Sequence, residues 1–184
     1  TNKIPALGIS DSFNLCGALE FSQEISKAGT QPIISSQINF KFSDTIGKIP
    51  IFAKTEVGFK NLIKLSSKSY LDVNENEEPH CLIEDLYKNK KDLLILSGGI
   101  NCLISNLLKK NRTKEFEKII FDLKENFPGL FYFEIQRHND ENEKNLEEVF
   151  LNYSGKYNLP IIASREIYYI KKEMYEAHDA LLCI

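Results

Sequence analysis

Short apolar runs alternate along this chain with segments of helical periodicity, and this alternation constrains the possible folds more than any other feature. Six runs have the length of strands, at residues 5–10, 32–35, 49–53, 93–96, 130–136 and 160–163. Most of them are nearly continuous in apolar residues, which is typical of strands covered on both faces. The pattern therefore predicts an α/β fold.

The segments between these runs show the i, i+3, i+4, i+7 spacing of amphipathic helices. The two clearest sets are Phe116, Ile119, Ile120, Leu123 and Phe127, and Leu146, Val149, Phe150, Tyr153 and Tyr157. A third predicted helix covers residues 18–28 and ends at Gly29, a residue suited to the left-handed position after a helix. Shorter helices are predicted at 56–70, 103–109 and 173–182, and an exposed acidic loop at 72–79.

A β-then-α order with polar residues just after most strands predicts a barrel-like arrangement, since such folds gather their sites at the carboxyl ends of the strands. We expect residues 1–184 to form a single domain. Six strands leave a closed eight-stranded barrel incomplete.

Composition excludes several classes of protein. Hydrophobic residues make up 42% and charged residues 27%, as in ordinary soluble proteins. A net charge of -3 gives no basic footprint for direct nucleic-acid binding. The four cysteines are widely separated and predict no zinc or redox motif. The sequence shows no signal peptide and no apolar run of membrane-spanning length, so we expect a cytoplasmic protein without membrane association.

Polar residues follow most of the predicted strands, and two interpretations stay open for them. They are Asp11 and Ser12, Ser36 and Gln37, Ser97 to Gly99, Arg137 and His138, and Arg165 and Glu166. Strand alternation places Glu134, Gln136 and His138 on one face. These residues form either a shared pocket at one barrel mouth or ordinary solvated strand ends. A metal site needs several converging ligands, yet only one of the three histidines, His138, ends a strand.

In order along the chain, several segments resemble the PHP domain of bacterial DNA polymerase III alpha subunits. They are residues 5–11 (PALGISD), 14–18 (NLCGA), 28–34 (AGTQPII), 58–62 (GFKNL), 96–99 (LSGG), 131–137 (FYFEIQR), 159–163 (LPIIA) and 176–179 (EAHD). No single segment is diagnostic, but their order and spacing together are specific. The resemblance implies a distorted β/α barrel of PHP type, which in some members binds metal ions and hydrolyses phosphoesters. It also implies that a first histidine-containing motif lies upstream of Thr1, so that the barrel is incomplete at its N-terminus.

The chain departs from the family pattern at the positions that resemblance assigns to metal binding. Active members have Asp-His where this chain has Asp11-Ser12, and Glu where it has Gln37. Their Asn-Asp-x-His-Tyr motif is here Arg165-Glu166-Ile167-Tyr168-Tyr169. Ser, Gln and protonated Tyr are neutral and coordinate divalent cations weakly. We therefore expect no metal and no catalytic residue in this chain, only a vestigial pocket: Asp11, Ser12, Gln37, Gly99, His138, Glu166 and Tyr168.

The resemblance implies a role within a larger protein. The parent chain is expected to be a DNA-directed DNA polymerase that uses Mg²⁺, while this segment carries no cofactor. For this segment, the implied roles are structural support and docking of the proofreading exonuclease subunit. The implied partners of the parent protein are other replisome subunits and DNA. The alternative is an active metal-dependent PHP phosphoesterase or 3′-5′ exonuclease.

Overall fold

The computed structural model describes residues 4–183 and has a mixed α/β fold. Its strands are β1 (Ala6–Ser12), β2 (Gln31–Phe42), β3 (Thr45–Ala53), β4 (Cys81–Leu82), β5 (Leu93–Leu96), β6 (Phe131–Ile135) and β7 (Ile161–Ala163). Its helices are α1 (Ala18–Lys27), α2 (Glu56–Leu71), α3 (Ile83–Lys88), α4 (Leu103–Lys109), α5 (Thr113–Asn126), α6 (Glu141–Tyr157) and α7 (Tyr175–Leu182). All six predicted strands and all six predicted helices are present.

The strands form one sheet in the order β1-β2-β3-β5-β6-β7, with β4 paired to β2. Strand β3 is antiparallel to both of its neighbours, whereas the other pairs are parallel. The sheet is curled but open, with β1 and β7 at its two edges among the described residues, as in an incomplete barrel. The predicted fold class is confirmed.

The prediction differs from the structure around β2. The predicted strand at 32–35 continues to Phe42 and turns directly into β3 as a hairpin, so no helix separates these two strands. The reason is the alternation of Ile38, Phe40 and Phe42, which places three fully or nearly buried side chains on one face. Ser43 allows the tight turn because it adopts a positive φ of 57°.

Two further differences concern the short elements and the sheet edges. Strand β4, with two residues, and helix α3, with six, were not predicted because such short elements do not show a hydrophobic period. Continuous apolar runs also predicted coverage on both faces for most strands, yet all three residues of β7 are exposed. An edge strand has a neighbour on one side only, and an apolar run does not reveal that position.

The main core lies between one face of the sheet and the helices. Ile51, Ile95 and Phe131 are paired across β3, β5 and β6 and are almost completely buried. Buried residues from α2 to α6 complete this core: Leu62, Leu65, Leu86, Leu103, Ile104, Leu107, Phe116, Ile119, Ile120, Leu123 and Phe150. Within residues 4–183, no helix combines the length and apolar character needed to cross a bilayer.

Candidate functional site: the polar face of the sheet

The sheet face opposite the main core is rich in polar side chains, and we call it the polar face. It carries Ser12, Gln37, Lys48, Tyr132, Glu134, Gln136 and Ser164. Ser12 lies beside Gln37 in the register of β1 with β2, and Gln37 lies beside Pro50 of β3. Because side chains alternate along a strand, these residues point away from the core formed by Ile51, Ile95 and Phe131.

Asp11 and Ser12 lie on opposite faces, although they are adjacent in the sequence. The Asp11 carboxylate lies beside Gly17, where a built Cβ would be 3.3 Å from Asp11 Oδ2. Gly17 precedes the first residue of α1, and a carboxylate is favourable near a helix N-terminus. Ser12 instead accepts a hydrogen bond from Lys48 Nζ at 3.4 Å. The structure therefore does not bring these two candidates into one pocket.

Lys48 contributes an ammonium group and Gln37 an amide to the polar face, and neither contributes a carboxylate. The Gln37 amide nitrogen donates to the Ser10 carbonyl oxygen at 3.4 Å, and Lys48 brings an ammonium group beside Ser12. Sequence reasoning missed Lys48 because the predicted strand began one residue later, at Ile49. A positive charge at this position opposes binding of a cation.

Glu134 is a buried acidic residue of the polar face, with 7% of its surface exposed. Its Oε1 accepts hydrogen bonds from Gln136 Nε2 at 3.1 Å and from the Ser164 hydroxyl. Its Oε2 is buried and has no hydrogen-bonding partner within residues 4–183. Burial raises the pKa of Glu134, while Ser164, Gln136 and the nearby Gly98 N–H act in the opposite direction.

Two glycines bring the loop after β5 close to Glu134 and its neighbours. A Cβ at Gly99 would lie 2.2 Å from Gln136 Oε1, and one at Gly98 would lie 2.2 Å from Cys102 Sγ. Gly98 also has a positive φ of 74°. Gly99 therefore lies against Gln136 of the polar face, and residues 97–99 form a tight strand-to-helix turn.

Strand β6 ends at Ile135, before the predicted strand end, so strand alternation does not place His138 on the face of Glu134. The His138 Nδ1 is 2.6 Å from Glu143 Oε1, and the His138 backbone N–H donates to Glu143 Oε2 at 2.5 Å. Burial alone would raise the pKa of Glu143, but the His138 side chain and the backbone N–H groups of His138 and Asp140 hold it below its ordinary value. The His138 ring is thus held at the start of α6, and the predicted face of Glu134, Gln136 and His138 is incomplete.

Glu166 and Tyr168 lie together in the exposed segment after β7. The Tyr168 hydroxyl donates to Glu166 Oε2 at 2.5 Å, and this hydrogen bond, together with burial, raises the pKa of Tyr168 to about 12. His178 of α7 lies beside the Tyr168 ring, with 5.2 Å between centroids. The Tyr168 hydroxyl is therefore protonated near neutral pH, and its proton is donated to Glu166.

The side chains of this region do not fit the metal ions that the family resemblance implies. Among residues 4–183, no group of three or more His, Cys, Asp or Glu side chains is arranged to hold a metal. One atom of each potential ligand is engaged internally: Glu134 Oε1 with Ser164 and Gln136, His138 Nδ1 with Glu143, and Glu166 Oε2 with Tyr168. Burial also raises the pKa of the nearby Cys102 thiol to about 12, which disfavours the thiolate that binds metals.

Comparisons with known proteins place this geometry in a family. The PHP domain model matches residues 1–138. DNA polymerase III subunit alpha of Rickettsia bellii is 34% identical over 99% of the chain, and that of Caulobacter vibrioides is also 34% identical over 99%. The chain spans only 16% and 17% of these two relatives.

A solved structure supports the fold. A candidate metal-dependent phosphoesterase from Bifidobacterium adolescentis superimposes with a TM-score of 0.54 at 11% identity, over 88% of this chain and 77% of that protein. At this identity the likeness concerns the fold alone. The resemblance identified from the sequence is thus confirmed, and the chain belongs to the PHP family and is homologous to DNA polymerase III alpha subunits.

Proposed function

We propose that this chain is a PHP segment of a bacterial DNA-directed DNA polymerase and does not itself catalyse hydrolysis. Its homology to DNA polymerase III alpha subunits supports the parent activity. In this proposal, nucleotidyl transfer with Mg²⁺ uses residues outside this chain, and replisome subunits and DNA are partners of the parent protein. The location of such a polymerase in a bacterium is the cytoplasm.

One observation carries the proposal of inactivity: among residues 4–183, the potential ligands do not converge on one position in a group of three or more. A cation that binds at Glu134 Oε1, Glu166 Oε2 or His138 Nδ1 would displace a hydrogen bond. At Ser12, the Lys48 ammonium lies 3.4 Å from the hydroxyl and repels a divalent ion. A metal-dependent hydrolase needs an anionic or imidazole ligand set that these groups do not form.

Titration calorimetry of the chain with Mn²⁺ and with Zn²⁺ tests this proposal. We expect no stoichiometric binding at micromolar metal, and no 3′-5′ degradation of a labelled single-stranded oligonucleotide in the presence of Mn²⁺. Asp179 is exposed on α7 and provides a control, because Asp179→Asn should leave any weak surface binding almost unchanged. Tight one-to-one binding, with nuclease activity that a chelator abolishes, would instead establish the alternative, an active phosphoesterase or exonuclease.

We further propose that the domain supports the parent polymerase structurally and docks its proofreading exonuclease subunit. The exposed apolar residues of the C-terminal segment are consistent with contacts to other protein surfaces; they include Ile167, Ile170, Leu181 and Leu182. Light scattering after gel filtration of the chain with the exonuclease subunit of the same bacterium should give a one-to-one complex. Separate elution, with the chain folded by circular dichroism, would refute docking on this segment.

A further inference from the structure

Glu134 connects two parts of the sheet that are distant in sequence. It lies in β6, and its Oε1 accepts the hydroxyl hydrogen of Ser164, thirty residues later and directly after β7. Gln136, two residues along β6, donates to the same oxygen at 3.1 Å. One buried carboxylate oxygen thus joins β6 to the start of the segment that carries Glu166 and Tyr168.

The attachment of β7 to the sheet is otherwise slight. Strand β7 has three residues and, within residues 4–183, lies at the sheet edge and pairs with β6 only. The Phe133 N–H donates to the Pro160 carbonyl at 2.9 Å, and the Ser164 N–H donates to the Ile135 carbonyl at 3.0 Å. Short exposed edge strands open easily, so a buried side-chain bond at the end of β7 adds a large share of its attachment.

We propose that Glu134 is a positioning residue that fastens the segment of residues 164–168 to β6 through Ser164. This inference rests on the proposed absence of a metal, because a cation bound at the polar face would itself link these two segments. Glu134 and Ser164 provide that link from within the chain.

The buried position of Glu134 explains why the bond to Ser164 matters. A carboxylate with 7% exposure is poorly solvated, so the donors Ser164 and Gln136 replace water around Oε1. Hydrogen bonds to a charged acceptor are roughly twice as strong as neutral ones. Without this acceptor, the Ser164 hydroxyl loses its buried carboxylate partner, and the 3.5 Å hydrogen bond from Gln136 Nε2 remains together with the backbone bonds.

Hydrogen exchange of the chain, followed by mass spectrometry in a buffer with chelator, tests this role. The variants are Glu134→Leu, which removes the acceptor, Ser164→Ala, which removes the donor, and Glu134→Gln, which keeps an acceptor oxygen. Glu148→Leu is the matched control, because Glu148 is an exposed acid on α6. Urea unfolding of each variant separates a local change from a global loss of stability.

We expect exchange at residues 161–166 to become roughly tenfold faster or more in Glu134→Leu and in Ser164→Ala, as for loss of a charged hydrogen bond. The double variant should exchange no faster than the single ones, and Glu134→Gln should retain most of the protection. Unchanged exchange in Ser164→Ala, or additive effects in the double variant, would overturn the proposal. Because the chelator removes any bound metal, the exchange result does not depend on the calorimetric test. Tight metal binding in calorimetry would refute the proposed function and would leave the role of Glu134 to be judged by hydrogen exchange.

Discussion

Phe150 gives the sharpest prediction about how α6 is held to the sheet. Its ring is fully buried and stacks on Phe133 of β6, with 4.6 Å between centroids and 26° between planes. Truncation of a buried Phe to Ala costs about 3–5 kcal/mol, from lost apolar burial and the cavity that remains. Since about 1 kcal/mol shifts the melting temperature of a protein this size by about 2–4 °C, Phe150→Ala should melt about 6–20 °C lower.

Urea unfolding monitored by circular dichroism measures this loss of stability. The neighbouring Leu151 on α6 is 49% exposed, and Leu151→Ala should change the free energy of unfolding by no more than about 0.5 kcal/mol. A double-mutant cycle with Phe133→Ala should recover about 0.5–1.5 kcal/mol of coupling for the ring pair. A loss at Phe150 no larger than that at Leu151 would refute the packing described for α6.

Two further substitutions test the electrostatics of the polar face and of α6. Burial raises the pKa of Glu134 above its ordinary value of 4.5, so this carboxyl group binds a proton more readily in the folded state than in the unfolded state. The stability that the group contributes therefore falls as the pH rises above 4.5. The free energy of unfolding of Glu134→Gln minus that of wild type, from urea unfolding, should therefore increase from pH 4.5 to 7.5, and a decrease would contradict the sign of the pKa shift. Asp140 caps α6 by accepting from the Asn142 N–H at 2.7 Å, so Asp140→Ala should cost about 1 kcal/mol; a change below about 0.3 kcal/mol would show that the cap is unimportant.

Most of the fold could be predicted because its signals are local and periodic. The helix containing Phe116 and Phe127 and the one containing Leu146 and Tyr157 repeat an apolar spacing over three or more turns. The hairpin of β2 and β3 was missed because Lys41 and Ser43 interrupt the apolar run, although Ile38, Phe40 and Phe42 continue the alternation.

The polar face could be predicted only in part. Asp11 and Ser12 were grouped because they are adjacent in the sequence, but strand alternation places them on opposite faces of the sheet. His138 lies beyond the end of β6, and its side chain contacts Glu143. Glu134 carried a usable signal: a single acidic residue inside an otherwise apolar strand, between Phe133 and Ile135, needs a buried partner. The sequence does not show that the partner is Ser164.

By itself, the sequence determined the α/β class, the main helices and strands and the family, and it predicted weak metal ligands at Ser12, Gln37 and Tyr168. These properties depend on residue type and short-range spacing. Only the tertiary structure decided which face each polar residue occupies and which donors it meets, including the bond from Ser164 to Glu134. The physical reason is that a hydrogen bond needs its two groups within about 3 Å, and sheet pairing creates that proximity between residues that are far apart in the chain.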